Sequence, residues 1–129
     1  MTDEGKPRRS VLLLEDDTPM AELIVRGLEG EFHVERASSA EEAEMLLATE
    51  NYHVLLCDHM MPGAQQGLDF LVAAQQRFPQ AKRILMTGYM NPDLISRSIA
   101  VAGLSACLMK PVKMDELRRL LHQTLGLDV

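Results

Sequence analysis

Four sets of polar residues lie directly after apolar runs of the sequence. An acidic triplet, Glu15-Asp16-Asp17, follows the first run, and Asp58, Thr87 and Lys110 each follow a later one. Carboxylates that converge on one place repel each other, and an oxygen-rich pocket of that kind matches a hard divalent cation such as Mg²⁺. A hydroxyl and an ammonium group beside it suit a phosphoryl group, because the hydroxyl donates a hydrogen bond and the lysine adds a positive charge. Together these residue types predict a site for phosphoryl transfer.

The elements that must bring these residues together are short strands that alternate with helices. Apolar runs predict five strands, at Val11–Leu14, around Phe32–Val34, and at Val54–Cys57, Ile84–Met86 and Ala106–Met109. Between and after the strands, apolar residues recur three and four positions apart, which is typical of amphipathic helices. Strands that are apolar throughout favour a parallel sheet covered on both faces. We therefore expect an α/β fold with a doubly wound, five-stranded parallel sheet, (βα)₅.

This fold decides where the polar residues meet. Right-handed crossovers place the carboxyl ends of all parallel strands at the same edge of the sheet, and ligands bind in the crevice there. Helix start and stop signals agree with the assignment. Thr18-Pro19 and Asn91-Pro92 each place a capping residue before a proline, and Asp17 is expected to help Thr18 cap the first helix. Ser39 and Glu42 form a capping box, and Gly103 ends a helix.

Bulk properties limit the class of protein. A chain of 129 residues accommodates one domain, which we expect at residues 10–125, with a disordered tail at 1–9 and a C-terminal tail at 126–129. No stretch approaches the ~20 apolar residues that cross a bilayer, and the apolar run after the first ten residues is too short for a signal peptide. We therefore expect a cytoplasmic protein without membrane contact. The net charge of −6 argues against direct DNA binding.

The cysteines and histidines are interpreted as structural. Cys57 and Cys107 lie in apolar runs without metal-ligand spacing, which predicts reduced, buried thiols. The four histidines also lack ligand spacing and are expected to be structural or surface residues: His33, His53, His59 and His122.

The order of these motifs resembles a known family. The acidic pair Glu15-Asp16, then Asp58 in Cys57-Asp58-His59-Met60-Met61-Pro62-Gly63, then Thr87, and finally Lys110-Pro111 are similar to the receiver domains of bacterial response regulators. The resemblance spans roughly residues 10–125 and implies the flavodoxin-like receiver fold of the chemotaxis-regulator type, which works in two-component phosphorelay signalling.

The resemblance also implies roles for individual residues. Asp58 would be the phosphorylation site, with Thr87 and Lys110 as its catalytic partners and a cis peptide bond between Lys110 and Pro111. Mg²⁺ is the implied cofactor, bound by Glu15, Asp16 and Asp58 and by the main-chain carbonyl of Met60. A sensor histidine kinase or a phosphotransfer protein would supply the phosphoryl group.

The switch residues depart from the family pattern. Receivers commonly have Tyr or Phe three residues before the lysine, an aromatic ring that moves inward with the threonine, and here Cys107 takes that place. We hypothesise that Tyr89, two residues after Thr87, is the aromatic that moves instead. The resemblance points to the face formed by the fourth helix, fifth strand and fifth helix as the surface for an unknown downstream protein or output domain, or for a homodimer.

Several alternatives stay open. The chain is expected not to be an enzyme with an external substrate, since a receiver catalyses only its own phosphorylation and dephosphorylation. A hydrolase of the haloacid dehalogenase type would require an Asp where Met60 stands. A pseudo-receiver that only binds partners would be expected to lack some of the site residues. The chain could also be the receiver fragment of a larger response regulator or hybrid kinase.

Overall fold

The fold is a single parallel sheet flanked by helices, as predicted. The structure, a computed structural model, describes residues 8–59, 67–88, 93, 96, 99–100 and 102–127. The strands are β1 (Arg9–Leu14), β2 (Phe32–Ala37), β3 (Val54–Asp58), β4 (Lys82–Thr87) and β5 (Ala106–Met109). The helices whose bounds lie in the described ranges are α1 (Thr18–Leu28), α2 (Ala40–Thr49), α3 (Gly67–Arg77) and α4 (Met114–Leu125).

The predicted fourth helix falls largely on residues outside the described ranges. Its described residues 93, 96, 99–100 and 102 are helical. It ends at Gly103, where a positive φ of 59° and a hydrogen bond of 3.0 Å from the Gly103 N–H to the Ile99 carbonyl close the last turn. A glycine adopts this left-handed conformation without strain. The predicted capping pair Asn91-Pro92, the Met60 carbonyl, Tyr89 and most of the predicted N-terminal tail also lie outside the described residues.

All strands of the sheet are parallel, in the order β2-β1-β3-β4-β5. In this doubly wound order, successive strands are added on one side of β1 first and on its other side afterwards, so the strand order reverses between β1 and β3. Ligands of such sheets bind in the crevice outside the carboxyl ends of these two strands. The register pairs Leu14 with Cys57, so the residues that follow β1 face the end of β3.

The central strands are buried on both faces, which explains their unbroken apolar runs. On β1, Leu12 and Leu14 pack into the core beside α2 and α3, whereas Val11 and Leu13 pack into the core beside α1 and α4. The same two-residue alternation continues through β3 and β4. The sheet edge differs: Met109 on β5, the edge strand of the described sheet, is 42% exposed, although its apolar run was expected to be covered on both faces.

Local capping positions the loops near the strand ends. Of the two residues expected to cap α1, Asp17 is the cap, since its Oδ1 accepts a hydrogen bond of 3.1 Å from the Met20 N–H. Thr18 and Pro19 then lie inside the first turn, where a missing N–H is harmless. At α2 the predicted cap is confirmed: Ser39 Oγ accepts a hydrogen bond of 3.1 Å from the Glu42 N–H.

Candidate functional site

Three carboxylates meet at the carboxyl edge of the sheet. Glu15 and Asp16 directly follow β1, and Asp58 is the last residue of β3, the neighbouring strand. One oxygen of each carboxylate lies within 4.8 Å of the others. Glu15 and Asp58 are buried and Asp16 is exposed, so the cluster opens toward solvent through Asp16.

Lys110, the residue after β5, joins this cluster. Its Nζ lies 3.1 Å from Asp58 Oδ1 and 3.2 Å from Glu15 Oε1, and its side chain is 24% exposed. Its main-chain N–H donates a hydrogen bond of 2.9 Å to the Thr87 carbonyl, which fixes the loop after β5 beside the end of β4. The peptide bond between Lys110 and Pro111 is cis, as the resemblance implied.

The surroundings act on the charges of this cluster. Burial raises the pKa of Glu15, and the negative charge of Asp58 raises it further, against the opposing effects of the Asp17 N–H and of Lys110. Burial by itself would lower the pKa of Lys110, but the hydrogen bond to Asp58 and the charges of Asp58 and Glu15 outweigh it, so the pKa is raised. One ammonium group therefore faces an excess of carboxylates, an imbalance that a divalent cation would remove.

The donor atoms fit Mg²⁺. Glu15 Oε1 is fully buried and, among the described residues, has no hydrogen-bond partner besides its ion pair with Lys110. A buried carboxylate oxygen left in this state is costly unless a cation satisfies it. With oxygen donors from Glu15, Asp16 and Asp58, the cluster has the hard ligands that Mg²⁺ prefers.

A guanidinium group holds the acidic loop in place from behind. Arg36, on β2, donates hydrogen bonds from Nε to the Glu15 carbonyl at 3.0 Å and from Nη2 to the Asp16 carbonyl at 3.1 Å. Because Arg36 binds main-chain oxygens, it does not take up the carboxylates that a metal would need. The Asp17 N–H in turn donates to Glu15 Oε2 at 3.2 Å.

A glycine permits the close packing behind Asp58. The Gly67 N–H donates to the His59 carbonyl at 3.3 Å, and a Cβ atom built on Gly67 would lie 1.9 Å from the Asp58 carbonyl oxygen. No side chain fits there without moving the backbone of the candidate phosphoacceptor. Gly67 was not singled out from the sequence, where it is one of eight glycines.

The predicted switch residues occupy different surroundings. Thr87 ends β4, is buried, and has its Oγ1 3.3 Å from Nδ1 of His59. Cys107, on β5, is half-buried against the core beside α2 and α3. Tyr89 lies outside the described residues. The sequence interpretation did not include His59 at the site, although its position directly after Asp58 was a usable signal.

The remaining cysteine and histidine predictions are simple to place. Cys57 is buried, both cysteines are free, and burial raises the pKa of each thiol. His122 packs edge-on against Phe32 and its Nε2 lies 2.7 Å from Glu31 Oε2, in a structural role far along the chain from the acidic cluster.

None of the helices in the described part of the chain combines the length and hydrophobicity needed to cross a bilayer.

Known proteins share both the sequence pattern and the fold. A model of the response regulator receiver domain family matches residues 11–122. The hydrogenase transcriptional regulatory protein HoxA of Cupriavidus necator is 36% identical over 108 residues, which cover 84% of this chain and 22% of that protein. The response regulator protein PilR of Pseudomonas aeruginosa is 31% identical over 121 residues, covering 93% of this chain and 27% of that protein. The chain thus spans about a quarter of the length of these curated relatives.

Solved structures agree with this similarity. The CheY-like receiver domain protein from Methanospirillum hungatei superposes with a TM-score of 0.84 at 28% identity, covering 92% of this chain and 94% of that one. The signal receiver domain of an HD domain-containing protein from Pseudomonas fluorescens gives 0.86 at 26% identity, covering 92% and 95%. On the sequence match, the strand order and these likenesses together, the chain belongs to the response regulator receiver domains, the phosphorylation-dependent modules of two-component signal transduction.

Proposed function

We propose that Asp58 of this receiver domain accepts a phosphoryl group in a Mg²⁺-dependent reaction. The observation that carries the proposal is the position of Lys110 Nζ, 3.1 Å from Asp58 Oδ1 at the edge of the three-carboxylate cluster. A carboxylate paired with a fixed ammonium group has both the nucleophile and the positive charge that phosphoryl transfer requires.

Glu15, Asp16 and Asp58 would hold the ion, together with the Met60 main-chain carbonyl, which lies outside the described residues. Bound there, Mg²⁺ would supply positive charge to the phosphoryl oxygens. An Asp58 carboxylate oxygen would attack the phosphorus of a phosphohistidine, forming a P–O bond as the P–N bond breaks and the imidazole leaves. Lys110 would donate a hydrogen bond to a phosphoryl oxygen during the transfer.

The readout of phosphorylation would be a changed protein surface. The Thr87 hydroxyl would move toward the phosphoryl oxygen and shift a population that exists before phosphorylation. With Cys107 at the usual aromatic position, Tyr89 would be the aromatic that follows Thr87. The chain would turn over no external substrate beyond its own phosphorylation and dephosphorylation.

The phosphoryl donor would be a sensor histidine kinase or a phosphotransfer protein. The downstream contact would use the face formed by the predicted fourth helix, β5 and α4. Met109 of β5 is 42% exposed and Ile99 of the predicted fourth helix is 49% exposed. Exposed apolar side chains suit a protein partner, an output domain or a second copy of the chain. DNA and membrane contacts are not part of the proposal.

Intact-mass measurement after incubation with acetyl phosphate and Mg²⁺ tests the acceptor. The wild-type chain should gain the mass of one phosphoryl group, and Asp58→Asn should gain none. Asp115→Asn, which alters an exposed aspartate on α4, is the matched control and should behave like the wild type. A pseudo-receiver would show no mass gain in the wild type, and a gain retained in Asp58→Asn would assign the acceptor elsewhere.

A second candidate concerns the setting of the domain. The named relatives are a hydrogenase transcriptional regulatory protein and the regulator PilR, and a further relative is the sensor histidine kinase AruS of Pseudomonas aeruginosa, 33% identical over 118 residues that cover 12% of it. On this similarity we propose that the domain serves as the receiver part of a longer response regulator or hybrid kinase. Sequencing the complete reading frame tests that setting.

A further inference from the structure

His59 and Thr87 form a cross-strand pair at the rim of the sheet. The register pairs Asp58 of β3 with Met86 of β4, so the next positions along the two strands are His59 and Thr87. The backbone keeps this register beyond the end of β3, because the His59 N–H donates to the Met86 carbonyl at 2.8 Å. Side chains at paired positions lie on the same face of a sheet, and here Nδ1 of His59 is 3.3 Å from Oγ1 of Thr87.

The pair lies beside the carboxylate cluster without belonging to it. His59 directly follows Asp58 at the end of β3, and neither His59 nor Thr87 is among the three carboxylates that meet there. His59 is half-buried and its carbonyl accepts a hydrogen bond of 3.3 Å from the Gly67 N–H, so both of its main-chain groups are held. The ring is therefore presented to Thr87 by a fixed backbone.

We propose that His59 is a positioning residue that holds the Thr87 hydroxyl in its unphosphorylated arrangement and thereby sets how readily the domain switches. The inference rests on the proposed function of Asp58. A hydroxyl both donates and accepts, so the contact forms with either neutral tautomer of the imidazole. When Thr87 moves to a phosphoryl oxygen, it must leave His59.

The consequence is an energetic bias against the switched state. A contact present in only one of two states shifts their ratio by its own net free energy. A single hydrogen bond of this kind corresponds to roughly a two- to tenfold change in the equilibrium. Beryllofluoride, which occupies the place of a phosphoryl group on an aspartate, should bind more tightly once the restraint is gone.

The test is a titration with beryllofluoride at saturating Mg²⁺, followed by calorimetry or fluorine NMR. His59→Leu, which fills similar space without a polar atom, should bind the probe roughly two- to tenfold more tightly than the wild type. His59→Asn places an amide oxygen near the position of Nδ1 and should restore affinity close to that of the wild type. Equal affinity in His59→Leu and wild type would overturn the proposal.

A double-mutant cycle separates positioning from a general structural effect. In a Thr87→Ala background, His59→Leu should no longer change the affinity for beryllofluoride, because the restrained hydroxyl is absent. The same gain in both backgrounds would overturn the proposal. Mg²⁺ affinity measured alone should be equal in His59→Leu and wild type, and a parallel change in it would assign His59 a merely structural role. If His59→Leu fails to fold, the same cycle with His59→Ala decides.

The outcome is distinguishable from failure of the proposed function. A wild-type chain that neither binds beryllofluoride nor gains mass with acetyl phosphate would contradict the role of Asp58. A wild-type chain that does both, with His59 variants that match it, would contradict only the role of His59.

Discussion

Lys110 Nζ lies 3.2 Å from Glu15 Oε1, so one ammonium group is shared between Glu15 and the neighbouring Asp58. Sharing leaves Glu15 incompletely compensated, since its Oε1 has no hydrogen-bond partner in the described part of the chain. Both acids are buried, and the raised pKa of Glu15 reflects burial and its repulsion from Asp58. The site is thus assembled at a cost to the stability of the metal-free protein, which a bound divalent cation would offset.

Replacing Glu15 should therefore stabilise the metal-free protein and weaken metal binding. We expect Glu15→Gln to raise the free energy of unfolding by roughly 0.5–2 kcal/mol without Mg²⁺, because a repelled buried charge is removed. Mg²⁺ should then stabilise the variant far less than the wild type, with affinity lower by about tenfold or more. Urea denaturation with and without Mg²⁺ measures both effects.

Glu22→Gln is the control for this experiment. Glu22 is exposed on α1 and its nearest described partner is Arg26 at 3.9 Å, so its removal should change stability by less than about 1 kcal/mol and leave the Mg²⁺ effect intact. A Glu15→Gln variant that is less stable without Mg²⁺ would contradict the account of a repelled carboxylate.

A side chain should not be tolerated at Gly67, whereas one should be tolerated at Gly88. A Cβ atom on Gly67 would lie 1.9 Å from the Asp58 carbonyl oxygen, a main-chain atom that cannot rotate away. No atom of the described residues lies within 4 Å of a Cβ on Gly88. We expect Gly67→Ala to cost roughly 1–3 kcal/mol or more and to weaken Mg²⁺ binding by displacing Asp58. Gly88→Ala should change neither by much. Equal urea midpoints for the two variants would refute this reading.

Much of the fold could be predicted because its signals are local. The central strands are buried on both faces, so their residues form unbroken apolar runs, and Ser39 caps α2 with the predicted geometry. At α1 the local signal left two adjacent capping residues, Asp17 and Thr18, because both residue types cap well, and the structure shows that Asp17 is the cap.

The residues that were missed depend on neighbours distant in sequence. An apolar run does not reveal that β5 lies at the sheet edge, so Met109 was placed in the core although it is 42% exposed. The contact of His59 with Thr87 follows from the β3/β4 register, which no local motif encodes. The strand-end positions and the family resemblance identified the acidic residues and Lys110, but neither carried information on Arg36, which holds the acidic loop from β2.

The two strand methionines should differ sharply in what they contribute. Met86 is fully buried between β3 and β5, and Met109 is 42% exposed. We expect Met86→Ala to cost about 2–5 kcal/mol through the cavity it leaves, and Met109→Ala to cost less than about 0.5 kcal/mol. Thermal or urea unfolding of the pair measures the difference. Comparable losses in the free energy of unfolding for the two variants would mean that the Met109 side chain is covered in solution.

Tyr52 should make the protein sensitive to alkaline pH. Its hydroxyl donates a hydrogen bond of 2.8 Å to Glu35 Oε1, and the pKa of the buried phenol is raised by burial, then by this bond and by the charge of Glu35. The folded state therefore keeps a proton that the unfolded chain releases above a pH of about 10. The stabilising contribution of Tyr52 is complete below that pH and is lost as the pH rises further toward the folded-state pKa.

Tyr52→Phe isolates this contribution. At about pH 8 the variant should lose roughly 1 kcal/mol, the net value of one hydrogen bond. Above about pH 10 the stability of the wild type should fall more steeply than that of Tyr52→Phe, because only the wild type has this phenol to ionise on unfolding. Tyr89 is present in both proteins and cancels from the comparison. Urea unfolding across this pH range measures the difference. If the free energy of unfolding of the two proteins falls in parallel above about pH 10, the pKa of Tyr52 is not raised in the folded state.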